Sequence, residues 1–191
     1  MSGLAGSLEE AIGVFRSLEG LAGSLEGAAA MAVATLRAGR KILVCGNGGS
    51  ACEAQHLAGE LVGRYKSDRR ALAAIALNAV GATMSCIGND YRFEEVYSRQ
   101  VEPLGQAGDL LVVFTTSGES PNVLEALRTA RRLGLRSIAF LGRDGGAARP
   151  LADVAVVVAH PQTNRVQEAH QFLLHCLMDE IEADLLGRDG K

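Results

Sequence analysis

The 191-residue chain has no tryptophan, only 4% aromatic residues, no run of lysine or arginine and a formal net charge of −3. With little cationic surface and few rings to stack on bases, a dedicated nucleic-acid binder is not expected. No apolar run reaches the ~18 residues of a membrane span, and no basic segment leads into an apolar one, so neither membrane insertion nor secretion is expected. The four cysteines, Cys45, Cys52, Cys86 and Cys176, have no Cys-x-x-Cys spacing. They lack the density of a disulfide framework, so reduced thiols in a cytoplasm are the simplest expectation, and a zinc–cysteine site is not. Nucleotide-binding loops fare no better. No Gly-Lys-Ser/Thr follows a glycine-rich turn, and the Gly-Asn-Gly-Gly-Ser-Ala stretch lacks the acidic residue that a dinucleotide fold places about 20 positions on, since the second strand ends in Ala76-Leu77-Asn78 and Asp68 precedes it.

What is present is a chain with 48% apolar and 21% charged side chains, enough for one sizeable globular domain with a full core. It is organised around residues 44–64, VCGNGGSACEAQHLAGELVGR. An apolar strand breaks into the glycine turn Gly46-Asn47-Gly48-Gly49-Ser50, and a helical pattern follows. Glycine lets the backbone turn sharply and approach a ligand, while the free N–H groups and the positive end of the helix dipole favour an anion. The helix then presents His56 and Glu60 four residues apart on one face, a pair able to move protons or hold a metal.

Two helices are expected before this stretch, at Leu8–Leu21 and Leu25–Ala38, with Ser7 and Ser24 as candidate caps. Beyond them, strands are expected at Lys41–Cys45, Leu72–Leu77, Leu110–Thr115, Arg136–Leu141 and Asp153–Ala159, each nearly continuously apolar, as for strands buried on both faces. The helices between them fall at Ala51–Tyr65, Ala79–Ile87, Phe93–Val101, Pro121–Leu133 and Val166–Leu186. The alternation implies an α/β fold, a three-layer αβα sandwich around a five-stranded parallel sheet of flavodoxin-like type. Ligands in such sheets sit past the carboxyl ends of the strands. The loop after the third strand, Thr115-Thr116-Ser117-Gly118-Glu119-Ser120-Pro121, offers four hydroxyls around a glycine. Beside the first loop it reads as a second anion pocket, without a lysine.

Four stretches, CGNGGSACEAQHLAGELVGRY, IGNDYRFEEVYSRQV, TTSGESPNV and RVQEAHQFLLH, in this order and spacing, resemble the sugar isomerase (SIS) family, specifically its phosphoheptose isomerases. The resemblance spans nearly the whole chain and implies residues 1–39 as a helical segment of the same domain, 40–188 as the SIS domain, and a cytoplasmic homotetramer with active sites between subunits. It implies interconversion of sedoheptulose 7-phosphate and D-glycero-D-manno-heptose 7-phosphate for bacterial heptose and surface-glycan synthesis. Carried over by position, phosphate contacts fall on Thr115, Thr116, Ser117 and Ser120, and sugar contacts on Asn47, Gly48, Gly49, Ser50, Asn89 and Asp90. A zinc set, one ion per subunit, falls on His56, Glu60, Gln167 and His175, with Gln167 and Glu60 also meeting substrate, Glu60 as base and His175 as acid. Thr115 stands where many relatives have serine and keeps the hydroxyl; Asn164 stands where some have an acidic residue.

Gln167 and His175 are eight residues apart, ~12 Å along a helix and roughly 80° apart in direction. One ion with ligand distances near ~2 Å is not expected to reach both from one copy, so one of the two is expected from a neighbouring chain. His170 and Gln171 are assigned supporting or structural roles, and Arg64 a place behind the substrate contacts. A second class of function, a non-catalytic protein of this fold binding a sugar phosphate or a replication-initiation partner, is weighed against the isomerase. The presence of both Glu60 and His175 favours catalysis.

Overall fold

A computed structural model describes residues 3–186. The expected end of the SIS domain at 188, like residues 1 and 2 of the helical segment, lies outside the described residues. Strands β1 (Ile42–Gly46), β2 (Ala74–Ala76), β3 (Leu110–Thr115), β4 (Arg136–Gly142) and β5 (Val154–Val158) form one parallel sheet in the order β2-β1-β3-β4-β5. Its register sets Val44 beside Val112, Val112 beside Ile138, and Phe140 beside Val156. Side chains alternate across a strand, so this row of residues faces one side while Leu43, Cys45, Leu111, Val113, Ala139 and Leu141 face the other. The two sides are separate cores. One is closed by α1 (Gly3–Ser17), α2 (Ala22–Arg37), α3 (Gly49–Val62) and α7 (Thr163–Leu186). The other is closed by α4 (Gly81–Asp90), α5 (Ser98–Leu104) and α6 (Pro121–Arg132).

Several boundaries differ from the expected ones for identifiable reasons. α1 begins at Gly3 and α2 at Ala22, so Ser7 and Ser24 lie inside helices and cap neither; Ser7 instead accepts a hydrogen bond from Arg165. β2 shrinks to three residues and, with β5, is only partly buried, because the strand order puts these two at the sheet edges. α3 stops at Val62 rather than Tyr65, its last carbonyls taken by Gly63 N–H and by Arg69. The expected Phe93–Val101 helix is a single 3-10 turn, Phe93–Glu95, followed by α5. α4 runs on to Asp90, placing Asn89 and Asp90 on its last turn.

Candidate active site

Strand order reverses between β1 and β3: β1 is followed in space by β2 on one side, β3 by β4 on the other. Such a switch point opens a crevice at the carboxyl edge. A cleft of about 290 Å³ occupies it, lined by residues 47–50 after β1, by Phe114, Thr115, Thr116, Ser117 and Ser120 around the end of β3, and by Thr163 and Gln167 at the start of α7. Two glycines make the floor possible. A Cβ on Gly46 would lie 2.5 Å from the Ser50 carbonyl oxygen, and Gly48 holds φ at +56°, which side chains resist. The turn delivers the start of α3, whose first amides have no carbonyl in a preceding turn, to the cleft.

The hydroxyl loop is braced on its far side. Thr115 Oγ1 accepts the Gly118 N–H at 3.3 Å and lies 3.4 Å from Ser120 Oγ, while Ser117 Oγ accepts the Glu119 N–H at 3.1 Å. Ser117, which only accepts, keeps its own proton to donate outward, whereas one proton of the Thr115–Ser120 pair lies between the two. Glu119 Oε1 accepts the Ala147 N–H at 2.8 Å and the Gly118 carbonyl accepts the Ala148 N–H, tying the loop to the turn after β4. The cleft is thus a cradle of hydroxyl and amide donors, with no lysine or arginine among the described residues that line it.

Further along the two helices that start at the cleft, His56 and Glu60 on α3 meet His175 on α7. Their potential ligand atoms all lie within 4.8 Å of one another. His56 Nε2 is 3.0 Å from Glu60 Oε1 and 3.4 Å from His175 Nε2, and the Gln171 amide nitrogen is 3.0 Å from His56 Nδ1. Tyr65, brought back by the end of α3, stacks on His175 with ring centroids 5.7 Å apart. Its hydroxyl is held above the usual phenol range by burial and by Asp179, with Lys66 opposing. Two imidazoles and a carboxylate at this separation suit a catalytic zinc site with an open position.

His175 reaches His56 and Glu60 within its own chain. Gln167 lies in the cleft lining, its carboxamide packed on Gly49, where a Cβ would come within 2.5 Å of its nitrogen. The Asn47 carboxamide points inward, forming a reciprocal pair with Asn122 at 2.8 and 2.9 Å, and Tyr97 donates to the Gly46 carbonyl at 2.5 Å with Asn47 Oδ1 3.1 Å away. Asn47 therefore offers the cleft its backbone. Asn89 and Asp90 bond to each other at 2.8 Å on exposed surface and are not part of the cleft lining. Arg64 is exposed. His170 is fully buried between Phe114 and Phe140, its Nε2 donating to the Leu141 carbonyl and its Nδ1 3.8 Å from Glu53, a brace between α7, α3 and the sheet. Tyr65, Tyr97, Asn122 and Thr163 escaped the sequence reading, since no local spacing connects them with the glycine turn, the hydroxyl loop or the triad.

Known proteins match the chain in sequence and fold over most of its length. The SIS domain family profile covers residues 8–142. A phosphoheptose isomerase of Campylobacter concisus (strain 13826) is 47% identical over 167 residues, 87% of this chain and 88% of that protein. Among solved structures, phosphoheptose isomerase GmhA from Neisseria gonorrhoeae superposes with a TM-score of 0.90 at 41% identity, covering 94% of this chain and 97% of that one. A phosphoheptose isomerase from Francisella tularensis gives 0.91 at 36% identity, over 95% and 98%. Fold, strand topology and sequence agree: the chain belongs to the SIS domain family and, within it, to the phosphoheptose isomerases.

Proposed function

We propose that this protein is an aldose–ketose isomerase interconverting D-sedoheptulose 7-phosphate and D-glycero-D-manno-heptose 7-phosphate through an enediol, the first step of bacterial ADP-heptose or GDP-heptose biosynthesis. Family membership supports the activity. The observation that carries it to the residues is the His56–Glu60–His175 cluster on the two helices that begin at a hydroxyl-lined cleft. The reaction moves one proton between neighbouring carbons and another between their oxygens. A carboxylate and an imidazole beside the open chain suffice for both transfers.

Glu60 takes the carbon-bound proton and returns it to the adjacent carbon, while His175 gives and takes the oxygen-bound one. Thr115, Thr116, Ser117, Ser120 and the amides of residues 48–50 hold the phosphate. Among the described residues of one chain no cation lines the cleft, and charge is met there by hydrogen bonds and the α3 dipole. His56, Glu60 and His175 would hold one zinc ion per subunit, which when bound polarises the carbonyl and stabilises the developing oxyanion. Asn89 and Asp90 reach the sugar from a second copy. Gln167 lines the cleft, and in this reading the triad of one subunit faces the cleft of another, with Gln167 completing the site across the interface. Exposed apolar side chains on α1 and α7, with Leu4 81%, Leu8 55% and Phe172 44% exposed, supply surface for a homotetramer. Among the described residues no helix is long and apolar enough to cross a membrane, and a cytoplasmic enzyme is the reading adopted.

The test is incubation with sedoheptulose 7-phosphate, following aldose formation by NMR. The native protein is expected to turn over, and Glu60→Gln to lose about 10²- to 10⁴-fold in rate. A native protein that binds the ketose without converting it would instead support the non-catalytic, sugar-phosphate-binding reading.

A further inference from the structure

We infer that Gln171 is a positioning residue for the His56–Glu60–His175 cluster: its carboxamide, reversible end for end, decides which nitrogen of His56 carries the proton and so whether the cluster closes on itself or opens to a metal ion. The inference rests on the proposed role of the cluster and adds a residue to it. Gln171 stands one turn before His175 on α7, so the two share a face. Its amide nitrogen is 3.0 Å from His56 Nδ1 and 3.3 Å from His175 Nε2. An NH₂ group has two protons and serves both nitrogens at once.

A neutral imidazole has one N–H and one lone pair. With the amide nitrogen facing it, His56 Nδ1 must accept. The ring proton is then on Nε2, where it is donated to Glu60 Oε1 at 3.0 Å with His175 Nε2 at 3.4 Å. In that state the lone pairs of His56 Nδ1 and His175 Nε2 are both spent on Gln171, and the carboxylate is spent on His56. The cluster is satisfied without a cation. A metal-ligating histidine needs the opposite arrangement, with its second nitrogen donating to an acceptor. Turning the carboxamide by half a rotation presents its oxygen to His56 Nδ1–H. The same turn frees His56 Nε2 and His175 Nε2 together, and both face Glu60 within the 4.8 Å group. Gln167 cannot substitute, being held against Gly49 in the cleft.

The experiment compares the native chain with Gln171→Leu and Gln171→Glu. In metal-free, ¹⁵N-histidine-labelled protein, long-range ¹H–¹⁵N spectra are expected to give His56 as the Nε2–H tautomer in the native chain. In Gln171→Glu, whose carboxylate can only accept, His56 is expected to carry a proton on Nδ1, whether or not Nε2 keeps its own toward Glu60. Zinc affinity, measured by competition with a chromophoric chelator, is expected to fall about 10- to 100-fold in Gln171→Leu and to be retained or raised in Gln171→Glu. Gln171→Leu binding zinc as tightly as the native chain, a native chain that binds no zinc, or His56 keeping its native tautomer in Gln171→Glu would overturn the inference. If Gln171→Leu does not fold, the Gln171→Glu tautomer and affinity decide alone. Both readouts are taken without sugar. Loss of the isomerase reading through absent turnover is therefore distinguishable from loss of this one.

Discussion

Glu60 is held by a hydrogen bond to His56 and by the guanidinium of Arg69, which takes its backbone carbonyl at 2.6 Å. A base used for carbon acids has to be fixed in direction yet open to substrate, and Glu60, proposed for that role, is about one-fifth exposed at its side chain. Gly49 is the comparable fixed point of the cleft. Adding a methyl there would collide with the Gln167 carboxamide, and Gly49→Ala is expected to weaken the sugar-phosphate complex about tenfold or more, roughly one charge-assisted hydrogen bond. Isothermal titration with the phosphosugar checks it, and unchanged affinity would remove Gln167 from the cleft's function. The residues legible from sequence, His56, Glu60 and the loop hydroxyls, are those whose partners lie within one turn or one loop. Gln171 stood next to the positions of interest, yet its contact with His56 spans 115 positions and no periodicity reports it. Asn47 was readable as a cleft residue but not as half of an amide pair with Asn122.

The strand and helix pattern was largely legible because buried parallel strands are short apolar runs with helices between them. It failed where an element's end is decided from elsewhere. α3 ends at Val62 because Arg69 and Glu182 pull the chain back onto α7: Arg69 Nε donates to Glu182 Oε1 at 2.9 Å, and Glu182 Oε2 also accepts the Lys66 and Ser67 amides. The pair is buried, with side chains 3% and 6% exposed. Removing one partner strands the other charge, and Glu182→Ala is expected to cost about 3–5 kcal/mol by denaturant unfolding; a loss under ~1 kcal/mol would mean that water reaches Arg69. At the opposite edge of the sheet, Asp109 joins the starts of β1 and β3 through the Lys41 side chain, the Lys41 amide and the Gln106 amide. Burial alone would raise its carboxyl, but these hydrogen bonds outweigh it and hold the carboxyl below the usual range. A depressed folded pKa stabilises the fold above the unfolded value of ~3.9 and ceases to do so as pH falls through the folded one. Asp109→Asn is therefore expected to be less stable than the native chain at neutral pH, with the gap closing below about pH 4 in urea melts taken across pH. A gap that stays constant with pH would show that Asp109 contributes no proton linkage.

For the whole molecule, the order β2-β1-β3-β4-β5 places the glycine turn and the hydroxyl loop on adjacent strands, and α3 and α7 carry their catalytic candidates away from the same edge. The expectation that one ion could not reach both Gln167 and His175 from a single helix came from rise and rotation alone. In the structure the two occupy different places, Gln167 in the cleft and His175 in the triad. Sequence could not say which of them belongs with His56, because that depends on how α7 slides against α3. In the proposed function, cleft and triad act as one site and meet across a subunit boundary. Coexpression of a cleft-defective chain, Thr116→Val with Ser117→Ala, and a triad-defective chain, Glu60→Gln, under different tags tests it. Each alone is expected to be inactive on sedoheptulose 7-phosphate, while the purified mixed oligomer recovers up to about a quarter of native turnover, since random pairing sets a native cleft against a native triad in one site of four. Mixed oligomers as inactive as their parents would contradict a site shared between subunits.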